Sequence, residues 1–336
     1  MSPSLAFLKR CSAETGYQVS ALEKVVRLGE VAADIARHPL LGEALALKGG
    51  TALNLCFGFP GRLSVDLDYN YIAHVEREKM LADRPRIETA VIELARRQGY
   101  SVQQSADAFA GRKLHLRYRS ALGPEEPVEV DLNYLFRLPL AGTETSSLWQ
   151  PGGLGPARVR VVSLTEIIAG KLLALLDRCA PRDAWDVAHL SVSSVQLLQS
   201  RGFQTQLIAL SAILDRPLSD YGRERLEHLL TDQELAEQLL PMLSAPISCS
   251  ATELVDRAWA KVAPFLALEV REEEYISALQ RGELRLDLLF PDDEAGAEHL
   301  SLHPALQWKL VNVRAHRSQA RRRPDIVRPG TVSNED

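Results

Sequence analysis

The sequence predicts an α/β (α+β) fold with a mixed sheet, followed by an α-helical C-terminal domain. Three features carry this prediction. Short apolar runs with a period of two alternate with helical patterns as far as residue 162. Two of them, 114–119 and 128–135, are neighbours with a Gly123-Pro124 turn between, which favours a mixed over a doubly wound parallel sheet. From about residue 194 onward the pattern is almost wholly helical. The expected division is 1–192 for the α/β domain, 193–324 for the helical domain and 325–336 for a disordered tail.

In order, residues 1–16 read as a loosely held arm and 18–37 as an amphipathic helix closed by Pro39. The run from Leu45 reads as a strand that breaks at Gly49-Gly50-Thr51 and resumes as a short helix over 52–57. An extended run carries Asp66 and Asp68. A helix over 76–98 follows, with Pro85 expected to break it. Strands are expected at 100–104, 114–119, 128–135 and 158–162, with a loop over 139–155. Helices follow at 165–178, capped by Ser163 or Thr165, and from Arg182.

A hydrophobic content of 46% with 25% charged residues is that of an ordinary soluble protein. No run of about 18 apolar residues and no signal-type leader occurs, so no membrane partner and a cytoplasmic location are expected. Cys11, Cys56, Cys179 and Cys249 lack paired spacing, which argues against a zinc site or disulfide frame. The net charge of −5 does not mark a nucleic-acid binder, although Arg314, Arg317, Arg321, Arg322 and Arg323 gather near the C-terminus. That group reads either as a solvated helix face or as an RNA-backbone contact, which Arg178 and Arg182 would extend.

The chemistry concentrates in two places. Asp66 and Asp68, two apart on a strand, share a face, and the Gly49-Gly50-Thr51 turn precedes them. Backbone N–H groups of such a turn suit an oxyanion, and paired carboxylates suit Mg²⁺. Asp131 lies on a second strand with the same alternation, and Glu129 competes for its place. Three carboxylates from two strands match the needs of a metal-assisted phosphoryl transfer. Arg62 and Ser64 either shape the loop or meet a triphosphate. Lys48 is structural or phosphate-facing. The histidines follow no metal spacing, and His189 reads as a packed residue.

Gly-Gly-Thr followed by Arg62-Leu-Ser-Val-Asp-Leu-Asp68 resembles the nucleotidyltransferase AbiEii/AbiGii toxin family, within the DNA polymerase beta-like nucleotidyltransferase superfamily. The segments Glu166-Ile-Ile-Ala-Gly-Lys171, Arg182-Asp-Ala-Trp-Asp186 and His303-Pro-Ala-Leu-Gln-Trp308 resemble its later motifs, so the likeness spans about 18 to 315. The interval from the turn to Asp66 is longer than usual, and the loop at Pro60-Gly61 takes up the excess. The resemblance implies a polymerase beta-like domain and the toxin of a type IV toxin–antitoxin or abortive-infection system, acting in phage defence. It implies that Asp66, Asp68 and Asp131 hold Mg²⁺ or Mn²⁺. Gly49, Gly50 and Thr51 would contact the phosphates of an NTP, with Lys171 on the triphosphate. Asp186, or else Asp183, would be the late aspartate; either also suits the first turn of a helix. The implied acceptor is RNA, the tRNA 3′ end, and the implied partner an antitoxin encoded nearby that need not bind. The alternatives are a nucleotidyltransferase acting on a protein or small molecule, and a catalytically silent nucleotide-binding module.

Overall fold

The structure, a computed structural model, describes residues 3–58, 61–244 and 249–322. Helices α1 (Leu5–Thr15), α2 (Val19–Arg37) and α3 (Leu41–Ala44) lead into β1 (Leu45–Lys48). The chain turns at once into α4 (Gly49–Thr51), continued by a π-helical turn over Ala52–Cys56. Then come β2 (Asp66–Tyr71), α5 (Arg77–Arg97), β3 (Ser101–Gln104), β4 (Gly111–Arg119), β5 (Glu125–Asn133), β6 (Thr143–Leu148) and β7 (Ala157–Val162). α6 (Leu164–Arg178) and α7 (Pro181–Ala188) carry the chain into its helical half. That half contains α8 (Val192–Leu198), α9 (Arg201–Leu210), α10 (Arg223–Leu229), α11 (Asp232–Gln238), α12 (Ala251–Val262), α13 (Val270–Arg281), α14 (Glu294–Ser301) and α15 (Pro304–Arg322).

The seven strands form one sheet in the order β3-β4-β5-β2-β1-β7-β6. β2 pairs in parallel with β5, and β1 with β7; the other neighbours are antiparallel, so the sheet is mixed, as predicted. The pleat sorts β2 into two faces. Leu67, Tyr69 and Tyr71 are buried on the face covered by α5, where the Tyr71 hydroxyl donates to Asp83 Oδ2 at 2.7 Å. Asp66, Asp68 and Asn70 take the opposite face, toward α6. The helical half closes over that side: Leu63 N–H donates to the Met242 carbonyl at 2.8 Å, and His303 meets the Phe136 ring at 5.4 Å between centroids. Buried side chains run continuously from the sheet into these helices.

Four expectations are corrected. The expected arm over 1–16 contains α1, capped by Ser4 and pinned by the fully buried Leu8 and Cys11. Pro85 does not break α5. The proline is exposed, so the carbonyl it leaves unpaired lies on the solvent side, while buried Met80 and Ile87 hold the helix on either side of it. The expected 139–155 loop contains β6, a six-residue edge strand whose polar sequence shows no alternation. The Gly-Gly-Thr segment is itself the first turn of a helix, entered through Gly49 at φ +71°. Pro60, the side chains of Arg321 and Arg322, Arg323 and the 325–336 tail lie outside the described residues.

Candidate active site

The parallel register of β2 and β5 builds the site. Asp66 is opposite Glu129, Asp68 opposite Asp131, and Asn70 opposite Asn133, so the polar residues form a two-column lattice on one face. β4 adds Lys113 beside Asp131, and β1 adds Lys48 beside Asp68. Lys113 Nζ lies 2.9 Å from Glu129 Oε2, and His115 is also within ion-pair reach of that carboxylate. Glu129 is thereby tied to β4, which leaves Asp131 as the free partner of Asp68. Asp66 meets Arg182 Nη1 at 3.4 Å.

These carboxylates crowd one another. Burial raises Asp131 above the usual carboxylate range, and Asp68 raises it further. Burial raises Asp66 as well, against the lowering effect of Arg182 and with further raising by Asp68. Hard oxygen donors whose mutual repulsion Arg182, Lys48 and Lys113 only partly offset fit a divalent cation in chemistry. Among the described residues no three such side chains gather tightly enough to form a ready metal cluster.

Against this acidic row stands a buried cationic network. Arg62 donates through Nε to Asp186 Oδ1 at 2.9 Å and through Nη2 to Oδ2 at 2.7 Å, a two-pronged pair almost free of solvent. Lys171 Nζ lies 2.9 Å from Asp183 Oδ1 and 2.8 Å from Asp186 Oδ2. Arg178 Nε donates to Asp183 Oδ2 at 2.6 Å. Burial alone would raise both aspartates, but Lys171 and its neighbouring arginines hold them below the usual range. Asp183 and Asp186 thus serve together: their carboxylates orient three cations, and neither is spent capping α7. Lys171 has three donors, two of them taken, which leaves one N–H for a ligand.

Glycines make this packing feasible. A Cβ on Gly49 would sit 2.4 Å from Asp68 Oδ2; one on Gly50 would sit 2.8 Å from Arg62 Nη2 and 2.9 Å from Ser64 Oγ. Thr51 is fully buried, and its hydroxyl donates to the Asp66 carbonyl, so it ties α4 to β2. Asn54 donates to the Gly50 carbonyl at 2.9 Å and to Asp186 at 3.2 Å. Asn54, Lys113 and Asn70 escaped the sequence reading. Only Asn54 carried a local signal, the four-residue helical spacing from Gly50. His189 stacks on Trp185 at 3.7 Å, a packed residue as expected.

Two cavities meet at the lattice. One of about 330 Å³ is lined chiefly by charged groups, including Arg62, Lys113, Glu129, Arg182 and Asp183. The other, of about 360 Å³, runs under α6 and has apolar walls from Phe136, Ile167, Leu173, Ile213 and Leu214. Gly50, Asp68, Asp131, Lys171 and Arg178 border both. Arg314 and Arg317 of α15 donate to the carbonyls of Gly282 and Gln280, so this part of the basic group ties α15 to the end of α13. No helix among the described residues is long and apolar enough to cross a membrane.

No curated protein matches the chain. Among solved structures it is similar to MenT4, a nucleotidyltransferase toxin from Mycobacterium tuberculosis H37Rv, at 19% identity and a TM-score of 0.59. That match covers 88% of this chain and 98% of the other, and it shows a shared fold. The family described as nucleotidyl transferase AbiEii toxin, type IV TA system, matches residues 33–261, a span that contains the carboxylate lattice, the Gly-Gly turn and the cationic network. The chain belongs to that family, and is a nucleotidyltransferase toxin of a type IV toxin–antitoxin system.

Proposed function

We propose that the chain transfers a nucleoside monophosphate from an NTP to the 3′ end of tRNA, which blocks aminoacylation and hence translation. Asp66, Asp68 and Asp131 would hold Mg²⁺ or Mn²⁺, whose chemistry is to neutralise phosphate charge and acidify the attacking hydroxyl. The observation that carries this reading is the register pairing of Asp68 with Asp131 opposite Lys171, at the junction of two cavities.

The residues divide the work by charge. Asp131, whose affinity for a proton burial and Asp68 raise, would accept the hydroxyl proton at a carboxylate oxygen. The remaining N–H of Lys171 and the terminal amino groups of Arg178 face the departing pyrophosphate. Arg62, locked by Asp186, adds fixed positive potential beneath Gly50. Because the network is already assembled, little reorganisation accompanies the reaction. The charged cavity is the place for the acceptor: Arg178, Arg182 and Lys113 remain 63%, 38% and 43% exposed there. Spaced cations of this kind suit a polynucleotide backbone more than a small neutral acceptor. The activity would operate in the cytoplasm, opposed by an antitoxin encoded nearby, and would serve phage defence.

The test is incubation with Mg²⁺, each labelled NTP and total tRNA, beside Asp68→Ala and Lys171→Ala controls. Label entering tRNA with the wild type alone is the expected result. Label on protein, or on no acceptor, would overturn the tRNA assignment.

A further inference from the structure

The wall of the cavity under α6 includes Asn70, one of whose amide atoms has no partner in the protein. Asn70 is 2% exposed, and its Oδ1 is buried without a hydrogen-bond partner. Its register neighbour Asn133 shows the contrast, because Asn133 Oδ1 accepts from the N–H groups of Leu135 and Phe136 at 2.9 Å each. A buried carbonyl oxygen left without a donor is costly to the fold, so a ligand that supplies the donor gains selectivity from it. Asn70 is two residues beyond Asp68 on the same face, about 6.8 Å along the strand. That step is comparable to the separation of an α-phosphate from the base it carries across a ribose.

A second observation comes from the facing helix. Gly170 stands inside α6, immediately before Lys171, where a glycine weakens the helix. Outside α6's own backbone and its chain neighbours, no protein atom lies within 4 Å of the Cβ it lacks, and it lines the same cavity as Asn70. Gly170 is exposed, so it leaves the mouth of the cavity open on the helix side, across from the amide on the sheet side. Glu166, one turn earlier, also lines the cavity and accepts from Leu140 N–H at 3.0 Å; burial pushes it up to about 7.

We propose that this apolar cavity is the nucleobase subsite for the NTP, and that Asn70 selects the base by hydrogen-bonding its edge. The inference rests on the transfer reading of the same site, and it goes further by naming the residue that sets nucleotide choice. The NTP base is favoured over the terminal base of the acceptor because Lys48 and Gly49, at the entry to the phosphate-facing turn, line this cavity and not the charged one, whereas Lys113 and Arg182, the cations suited to a polynucleotide backbone, line only the charged one. A pocket with apolar walls from Phe136, Ile167, Leu173, Ile213 and Leu214 and a few polar groups among them, Asn70 included, is the chemistry that separates one base from another.

The experiment measures binding of ATP, GTP, CTP, UTP and inorganic tripolyphosphate in Mg²⁺ to wild type, Asn70→Ala, Asn70→Asp and Gly170→Leu, with kcat and KM wherever transfer occurs. Wild type should prefer one nucleotide. Asn70→Ala should cut that preference about tenfold through KM, and Asn70→Asp should re-rank the four nucleotides. Gly170→Leu should weaken all four more than tenfold and leave tripolyphosphate unchanged. A purely structural Asn70 would lower the thermal midpoint without moving the ratios between nucleotides, and that result overturns the proposal. NTP binding that is unaffected by Gly170→Leu overturns it too, and places the acceptor's base in the cavity. If wild type binds NTPs but transfers to no acceptor, the transfer reading fails while the binding ratios still decide the role of Asn70. If it binds none, both fail.

Discussion

At the scale of single residues, the site is a set of charges that would not tolerate separation. Arg62 and Asp186 are both buried, and each is the other's principal partner. Arg62→Met removes one member and leaves a buried carboxylate with Lys171 and the Asn54 amide, which is expected to cost about 3–5 kcal/mol. Urea unfolding at neutral pH measures it, and a loss below ~1 kcal/mol would show the pair to be solvated. The sign with pH follows from the lowered position of Asp186, where Arg62 and Lys171 outweigh burial. Its stabilisation is complete above the ordinary carboxylate range and is lost as pH falls through its depressed value. Asp68→Asn should act differently. Transfer should fall at least about a hundredfold, yet the thermal midpoint should not drop, because Asp68 raises both Asp66 and Asp131. A parallel fall in midpoint and activity would mean that Asp68 is structural. Gly49→Ala should lose both properties, since a Cβ there meets the Asp68 carboxylate and φ is +71°.

At the scale of elements, α5 offers the sharpest test of why the chain departs from its local preferences. Pro85 lies within 21 residues of continuous helix, held at each side by buried residues. Pro85→Ala should stabilise the protein by about 1–3 kcal/mol, since it restores one backbone hydrogen bond and removes a ring clash. An unchanged urea midpoint would show that the helix has already relaxed around the ring. The same balance explains what could be read in advance. β2 and β5 were legible because Leu67, Val130 and Leu132 alternate with Asp68 and Asp131, and the pleat converts that alternation into a shared face. β6 was not, because an edge strand of Thr, Glu and Ser buries little and so needs no apolar period. The cationic network was half legible. Lys171, Arg178 and Asp183 lie within 12 residues, whereas Arg62 and Asp186 are 124 apart and meet only through the fold. Asn70 carried no signal at all, since an asparagine in a strand becomes informative only once its amide is seen to lack a partner.

At the scale of the whole molecule, the helical half matters because it supplies a wall of the site. His303, just before α15, rests edge-on against Phe136 of the sheet half and accepts from Ala305 N–H at 3.3 Å. It is 1% exposed. Burial first, then the nearby Arg137 and His299, lower its pKa to about 4. It is therefore neutral in the folded state where an unfolded histidine, at about 6.5, has begun to charge. The stability that depends on this neutrality is complete above pH 6.5 and is lost as pH falls from there through about 4, at up to roughly 1.4 kcal/mol per pH unit. Glu166 on the same cavity works in the opposite direction, because its raised pKa of about 7 removes stability as pH rises toward neutrality. The raw pH profile therefore sums two slopes, and a variant is needed to isolate one. His303→Asn retains a side chain suited to a helix start and does not titrate. Between pH 7 and pH 5 the two slopes nearly cancel in the wild type, whereas His303→Asn keeps only the Glu166 slope, so its stability from urea unfolding should rise relative to wild type over that interval by about 1–2 kcal/mol. Identical slopes for the two proteins would mean that His303 is solvated at the joint, and that the helical half is not sealed against the sheet at this point.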